Sequence, residues 1–313
     1  MRILILIHNT IGRYDWGLQL FRNEIARQHD VIFYGTGHPE YDKQINGVHV
    51  PELLKIYAPI DMIIIDSFKY CSHYTGLELI QNVLKVCTVM DYYGANCNAY
   101  NNFINTRKID AITIPYPSLL QVFKEYKSKG TISKSILEFL MPFSVNINIY
   151  KPLNLPIEND VIAISSMSSA IYPNRLIVYN TLNSMKNIKT LTARSASEGI
   201  IHNKYIEVIN KSKIFANAVD TNKLVTMKFT EVMACGTLFL TDYAYGLDQL
   251  RFIDKKHLVL YNGIDDMKNK IIYYLEYEDA RNKIAKAGME FVRKYHSNEI
   301  RVRQLIKELK EHI

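Results

Sequence analysis

Short, wholly apolar runs alternate with stretches of helical period along most of the chain, the order expected of a parallel α/β protein. Ile3–Ile7 is apolar at every position, as a strand covered on both faces requires. The loop HNTIGRYDWG follows, and Leu18, Phe21, Ile25 and Ala26 then recur at helical spacing. Val31–Tyr34, Met62–Ile65, Val83–Val89 and Ala111–Ile114 read as further strands. Helices are expected near 76–82 and 116–127, the second introduced by Pro115 and Pro117.

The rhythm breaks at MPFSVNINIYKPLNLPIEND, residues 141–160, where three prolines and several asparagines interrupt any period. It then restarts: strand Val161–Ser165, a Ser-rich turn, helix near 174–184, strand Ile188–Leu191, helix near 203–210 and strand Ile214–Asn217. A helix over 227–235, strands at 237–241 and Leu258–Tyr261 and a helix over 266–275 complete this half. From about Asp279 the pattern is helical to the end. The expectation is two Rossmann-like domains, 1–150 and 151–294, with a C-terminal helix, 295–313, packing back on the first. No internal repeat of 20–50 residues and no low-complexity tract is present.

Composition narrows the class. With 48% hydrophobic and 22% charged residues in 313, the chain is an ordinary globular protein, long enough for two cores. The apolar run at the start meets His8 and Asn9 too soon for a signal peptide, and no run approaches the roughly 18 residues of a membrane span, so a cytoplasmic location is expected. Four scattered cysteines without metal spacing point to free or buried thiols. The net charge of +7 is uneven: residues 1–150 hold 14 basic against 13 acidic side chains, whereas 281–313 hold 9 against 4. The excess is a C-terminal feature, a solvated face or a contact for anionic lipid or DNA.

Two α/β halves suggest a ligand beyond the carboxyl ends of the strands. Neither GxGxxG nor GxxxxGK[ST] occurs, and DxD is absent, so dinucleotide, Walker-loop and metal-bridged sites lack their signatures. What remains are strand-to-helix junctions rich in Gly, Ser, Tyr and Asn: HNTIGRYDWG, SSMSSAIYPNR and DYAYGLDQL. Helix starts there would offer unpaired N–H groups to phosphate, with Arg175, Lys213 and Lys228 at such junctions to neutralise it. In KFTEVMACGTLFLTD, Glu231 reads as a first-turn carboxylate favoured by the helix dipole, with Thr230 as a cap. The same carboxylate could accept hydrogen bonds from ribose hydroxyls.

FTEVMACGTLFLTD, GLDQLRF and HLVLY, in that order, resemble the "FEAMACGxLLLTD…GLxELF…H.VLY" pattern of nucleotide-sugar glycosyltransferases of the GT-B fold, in particular the spore-maturation-protein-like branch. SSMSSAIYPNR is similar to that family's strand-turn-"YPxR" opening, and MPFSVNINIYKP to its "LPFGVDxxxFxP" linker. The resemblance covers residues 160–296; the first half matches in layout alone. It implies a second domain that binds a nucleoside diphosphate sugar, UDP-sugar favoured, and a first domain that binds the acceptor, with no cofactor and no metal.

Residue by residue, it implies a ribose contact for Glu231, a diphosphate-touching loop at Gly246, Leu247 and Asp248, and phosphate partners in Lys228 and Arg175, with Tyr172 as a further donor-binding residue. Related retaining enzymes carry E-x7-E, whose first glutamate would fall at Lys223, so the stereochemical course stays open. The acceptor base belongs at a strand end of the first half, where Asp91, Asp15, Asp66 and His8 are available, Asp91 and Asp15 first. The acceptor could be a saccharide, a lipid or a hydroxymethylated DNA base. A degenerate protein that binds donor without turnover is the alternative from another class.

Overall fold

The computed structural model describes residues 1–7, 16–35, 38, 40–41, 49–66, 71–166, 172–194 and 197–313. The chain divides into two compact units, the first built chiefly of Arg22–Pro142 with Val302–Ile313, the second of Phe143–Arg301.

The first unit holds a six-stranded, all-parallel sheet of β1 (Arg2–Leu6), β2 (Asp30–Tyr34), β3 (Met62–Ile65), β4 (Leu84–Thr88), β5 (Ala111–Ile114) and β6 (Leu137–Leu140), in the order β2-β1-β3-β4-β5-β6. β1, β3, β4 and β5 are buried almost throughout, the reason their sequences show no polar alternation. Around them lie α1 (Trp16–Gln28), α2 (Val50–Tyr57), α3 (Asn96–Thr106) and α4 (Pro117–Ser128). Pro117 opens α4, where a missing N–H costs nothing. The helix expected near 76–82 is a single 3-10 turn at Leu77–Leu79. His312, near the chain end, lies 6.0 Å from the Phe139 ring of β6.

The second unit has a five-stranded parallel sheet of β7 (Asn159–Ile164), β8 (Thr190–Ala193), β9 (Ser212–Asn217), β10 (Leu238–Thr241) and β11 (Val259–Leu260), in the order β11-β10-β9-β7-β8. Strand order reverses between β7 and β9, which makes the crevice there a topological switch point. Alternate residues sort the helices onto two faces. Ile214, Ala216, Leu238 and Leu240 pack with Val178 and Leu182 of α5 (Pro173–Ser184) and Met267 and Ile271 of α8 (Ile264–Glu276). Phe215 and Phe239 meet Tyr205 of α6 (His202–Asn210) and Phe229 of α7 (Met227–Ala234) on the other face, with Phe229 and Phe239 4.8 Å apart. α9 (Glu278–Tyr295) and α10 (Asn298–Lys310) end the chain.

The boundary falls at Pro142, before the expected 150, because Val145 and Tyr150 are buried within the second unit. Val145 accepts the Asn298 N–H and donates its own to His296 O, a parallel bridge that ties the linker to the α9–α10 junction. All four cysteines are buried thiols outside any disulfide. No helix among the described residues is long and apolar enough to cross a membrane.

Candidate functional site

Arg175 marks the switch point of the second sheet. It lies in the first turn of α5, is buried, and donates from Nε to Ala218 O (3.1 Å) and from Nη1 to Ser166 O (3.2 Å). Ser166 follows β7 and Ala218 follows β9, so one guanidinium spans the two loops whose divergence forms the crevice. The Tyr172 ring stacks on it, 3.7 Å from the guanidinium carbon. Asp220 and Asp242 add attraction that opposes the cost of burying the charge.

α7 brings the other two charged groups. It begins at Met227 after Thr226, whose side chain makes no capping hydrogen bond. Glu231 is therefore in the second turn, and Thr230 donates to Met227 O (2.9 Å) instead of capping. Both expectations of a first-turn, dipole-stabilised carboxylate are thereby corrected. What holds Glu231 is Tyr150, whose hydroxyl donates to Oε1 at 3.0 Å. Burial raises the Glu231 carboxyl above its ordinary range, opposed by the Lys228 ammonium and the Tyr150 hydrogen bond. Burial, and secondarily Arg175, brings the Lys228 ammonium down to about 8, with Glu231 pulling the other way. Tyr150, Tyr205 and Cys235 line the same spot, and burial pushes each up, so they stay neutral. The result is a half-buried acid and base one helical turn apart, at an uncapped helix start beside a buried guanidinium: an arrangement that suits a polyhydroxyl group on one side and an anion on the other.

Other expected residues fall elsewhere. Lys213 is the second residue of β9, at the amino edge of the sheet, where its Nζ pairs with Asp160 Oδ1 at 2.7 Å. In a parallel sheet the ligand end is the opposite edge, so Lys213 is no phosphate partner. Gly246 adopts φ 95°, Leu247 is buried and Asp248 is exposed. Their loop docks on the one after β9 through Tyr245 N to Lys223 O (2.7 Å), so the loops after β9 and β10 form one rim. In the first unit, Asp66 ends β3 with its carboxylate held bidentately by the buried Arg22. Asp91 is exposed beyond the end of β4. His8 and Asp15 lie outside the described residues.

Tyr150, Tyr205 and Asp242 were not singled out by sequence. Tyr150 had a usable signal, a tyrosine where the resembled linker pattern has phenylalanine. Asp242 sits just after β10, where Oδ1 accepts the Val219 N–H at 2.8 Å. Among the described residues, no cluster of three His, Cys, Asp or Glu could hold a metal.

Against known proteins, a family model described as "Glycosyl transferase-like" matches residues 184–307, less than half of the chain but including all of α7. No curated protein matches in sequence. Solved structures do match in fold. Anabaena HepE, solved with UDP and glucose, aligns with a TM-score of 0.71 at 13% identity over 99% of this chain and 100% of its own. A glycosyltransferase from Rickettsia africae aligns at 0.66 with 15% identity, covering 99% and 98%. Sucrose-phosphate synthase from Thermosynechococcus elongatus aligns at 0.63 with 13% identity, again covering 99% and 98%. At these identities the likeness establishes the fold, which is that of the GT-B glycosyltransferases.

Proposed function

We propose that the protein is a glycosyltransferase that moves a sugar from a nucleoside diphosphate donor, by preference a UDP-sugar, to an acceptor hydroxyl. The observation that carries this is the buried guanidinium of Arg175 spanning the switch-point loops, with Lys228 and Glu231 beside it. The Glycosyl transferase-like match over α7 supports the reaction class, and the likeness to a protein solved with UDP and with UDP-glucose supports the choice of nucleotide. The order of motifs around Glu231 favours the spore-maturation-protein-like branch.

The diphosphate lies against the start of α7, where free N–H groups, the Lys228 ammonium and Arg175 Nη2 meet its charge. Negative charge grows on that leaving group in the transition state, so donors fixed in place beforehand lower the barrier. Glu231 accepts from the ribose hydroxyls; Tyr150 holds Oε1, and Oε2 has no partner among the described residues. With two cations and a helix start facing the phosphates, transfer proceeds without a metal. Asp91, exposed at the end of β4, is the preferred acceptor base, because Arg22 occupies both oxygens of Asp66. The near balance of charge in residues 1–150 favours a saccharide or lipid acceptor over DNA. The basic C-terminal helices would supply any contact with an anionic surface.

A panel of UDP- and GDP-sugars tests this with purified protein. UDP-sugars should raise the melting temperature and undergo slow hydrolysis that persists in EDTA. If no nucleotide sugar stabilises the protein or is hydrolysed, the assignment fails; if EDTA abolishes turnover and Mn²⁺ restores it, metal independence fails.

A further inference from the structure

The second unit carries a cavity of about 520 Å³ beside the proposed nucleotide crevice. That volume falls within the ~300–1,000 Å³ typical of small-ligand sites. It opens beyond the carboxyl ends of β10 and β11 on the α5–α8 face, and none of Arg175, Lys228, Glu231 or Tyr150 lines it. α7, which carries Lys228 and Glu231, packs on the other face of the sheet.

The groups it offers are specific. Tyr243, 44% exposed, and the buried Tyr261 contribute aromatic surface, and Tyr261 is fixed by its hydroxyl donating to Asn217 O at 2.8 Å. Asn174 and Asn262 contribute two exposed side-chain amides. Asp242 contributes a carboxylate whose Oδ1 is held by the Val219 N–H, and Lys223 an exposed ammonium. Lys270 is already matched, its Nζ 2.7 Å from both Leu260 O and Asp266 Oδ2, whereas the exposed Asp254 adds a second carboxylate, whose Oδ1 accepts the Leu260 N–H at 2.7 Å.

With Lys270 paired to Asp266, one ammonium faces two carboxylates, so the lining does not attract an anion, and an uncharged polyhydroxyl occupant suits it. Amide, carboxylate and ammonium together supply donors and acceptors in the mixture that vicinal hydroxyls need. An exposed tyrosine ring suits the C–H face of a pyranose, apolar on its body and polar at its rim. We propose that this cavity is a saccharide-binding site, distinct from the nucleotide crevice, that holds one or two uncharged sugar rings. Beside the glycosyltransferase assignment, which it does not require, it gives the enzyme a place to retain a glycan between transfers.

Titration calorimetry on the full chain tests this with maltose, cellobiose, lactose and N,N′-diacetylchitobiose, each with and without saturating UDP. At least one should bind saturably, with a Kd unchanged within about twofold by UDP, as expected of uncoupled sites. Tyr243→Ala and Asn262→Ala should each weaken that saccharide about tenfold or more, equivalent to ~1.4 kcal/mol, and leave UDP binding unaltered. The proposal is overturned if none of the four binds, if UDP competes with the saccharide, or if both variants bind it as the parent does. Saccharide binding by a protein that ignores UDP would instead contradict the donor assignment and leave this one standing.

Discussion

Lys228 and Glu231 stand one turn apart on α7 with ionisation states shaped by burial in opposite directions. A lysine lowered to about 8 in the folded chain binds its proton less tightly than in the unfolded one. Its charge therefore costs stability fully below that pH, and the cost fades as pH rises toward the ordinary lysine range. A diphosphate placed against it raises the value again, so binding above pH 8 takes up a proton. UDP affinity should hold steady below about pH 8 and fall above it, by up to about tenfold per pH unit if one proton is coupled. Calorimetry in buffers of different ionisation enthalpy would detect the uptake; affinity that rises with pH would contradict it. Glu231, with its carboxyl raised, makes the mirror-image contribution, favouring the folded state at low pH and costing stability as pH rises through its titration. Glu231→Gln should keep or slightly raise the melting temperature near neutral pH while weakening UDP by roughly tenfold, the scale of about 1.5 kcal/mol for a lost charged hydrogen bond. A parallel fall in both quantities would mean the carboxylate holds the fold. That this helix carries a carboxylate at Glu231 was legible in KFTEVMACG, but neither its turn nor its partner was. Tyr150 lies in a linker with no period, and only the folded chain brings that hydroxyl to the carboxylate.

Elements with strong periodicity were legible: β1, β3, β4, β5, β7, β9 and β10 coincide with apolar runs because both faces of each sheet are covered. β6, a partly exposed edge strand with a mixed sequence, LEFL, gave no such run. α3 has the sequence NCNAYNNFINT, whose five asparagines are poor helix formers, and it is held by burying Tyr100, Phe103 and Ile104. α2 was likewise missed, its eight residues too few for a clear period. The start of α7 was placed at the right residue, yet the cap was not, because a threonine three residues on can donate back to the chain as readily as it can cap. α9 carries one position where packing tolerates only hydrogen: a Cβ on Gly288 would stand 2.2 Å from His257 O and 3.2 Å from Met233 Sδ of α7. Gly288→Ala should cost about 1–3 kcal/mol by forcing α9 away from that backbone. Thermal unfolding should show a drop of several degrees, and an unchanged melting temperature would contradict the packing.

At the scale of the molecule, two parallel sheets and the return of Val302–Ile313 to the first unit were both legible from the repeated rhythm and the terminal helical pattern. The unit boundary was not, since prolines mark where the chain is irregular and not where burial changes owner; Val145 and Tyr150 are irregular and buried at once. Charge distribution separates tasks, with the basic excess in the last helices and the paired cations of the crevice in the second unit. Everything proposed for the reaction rests on one placement, a nucleoside diphosphate at the switch point between β7 and β9. A crystal structure with UDP bound tests it most directly. Glycosyl transfer at this site requires ribose hydroxyls within hydrogen-bond distance of the Glu231 carboxylate and phosphate oxygens against Lys228, Arg175 and the start of α7. UDP bound elsewhere on the chain, or seated in the crevice with Glu231 touching no atom of it, would contradict the assignment.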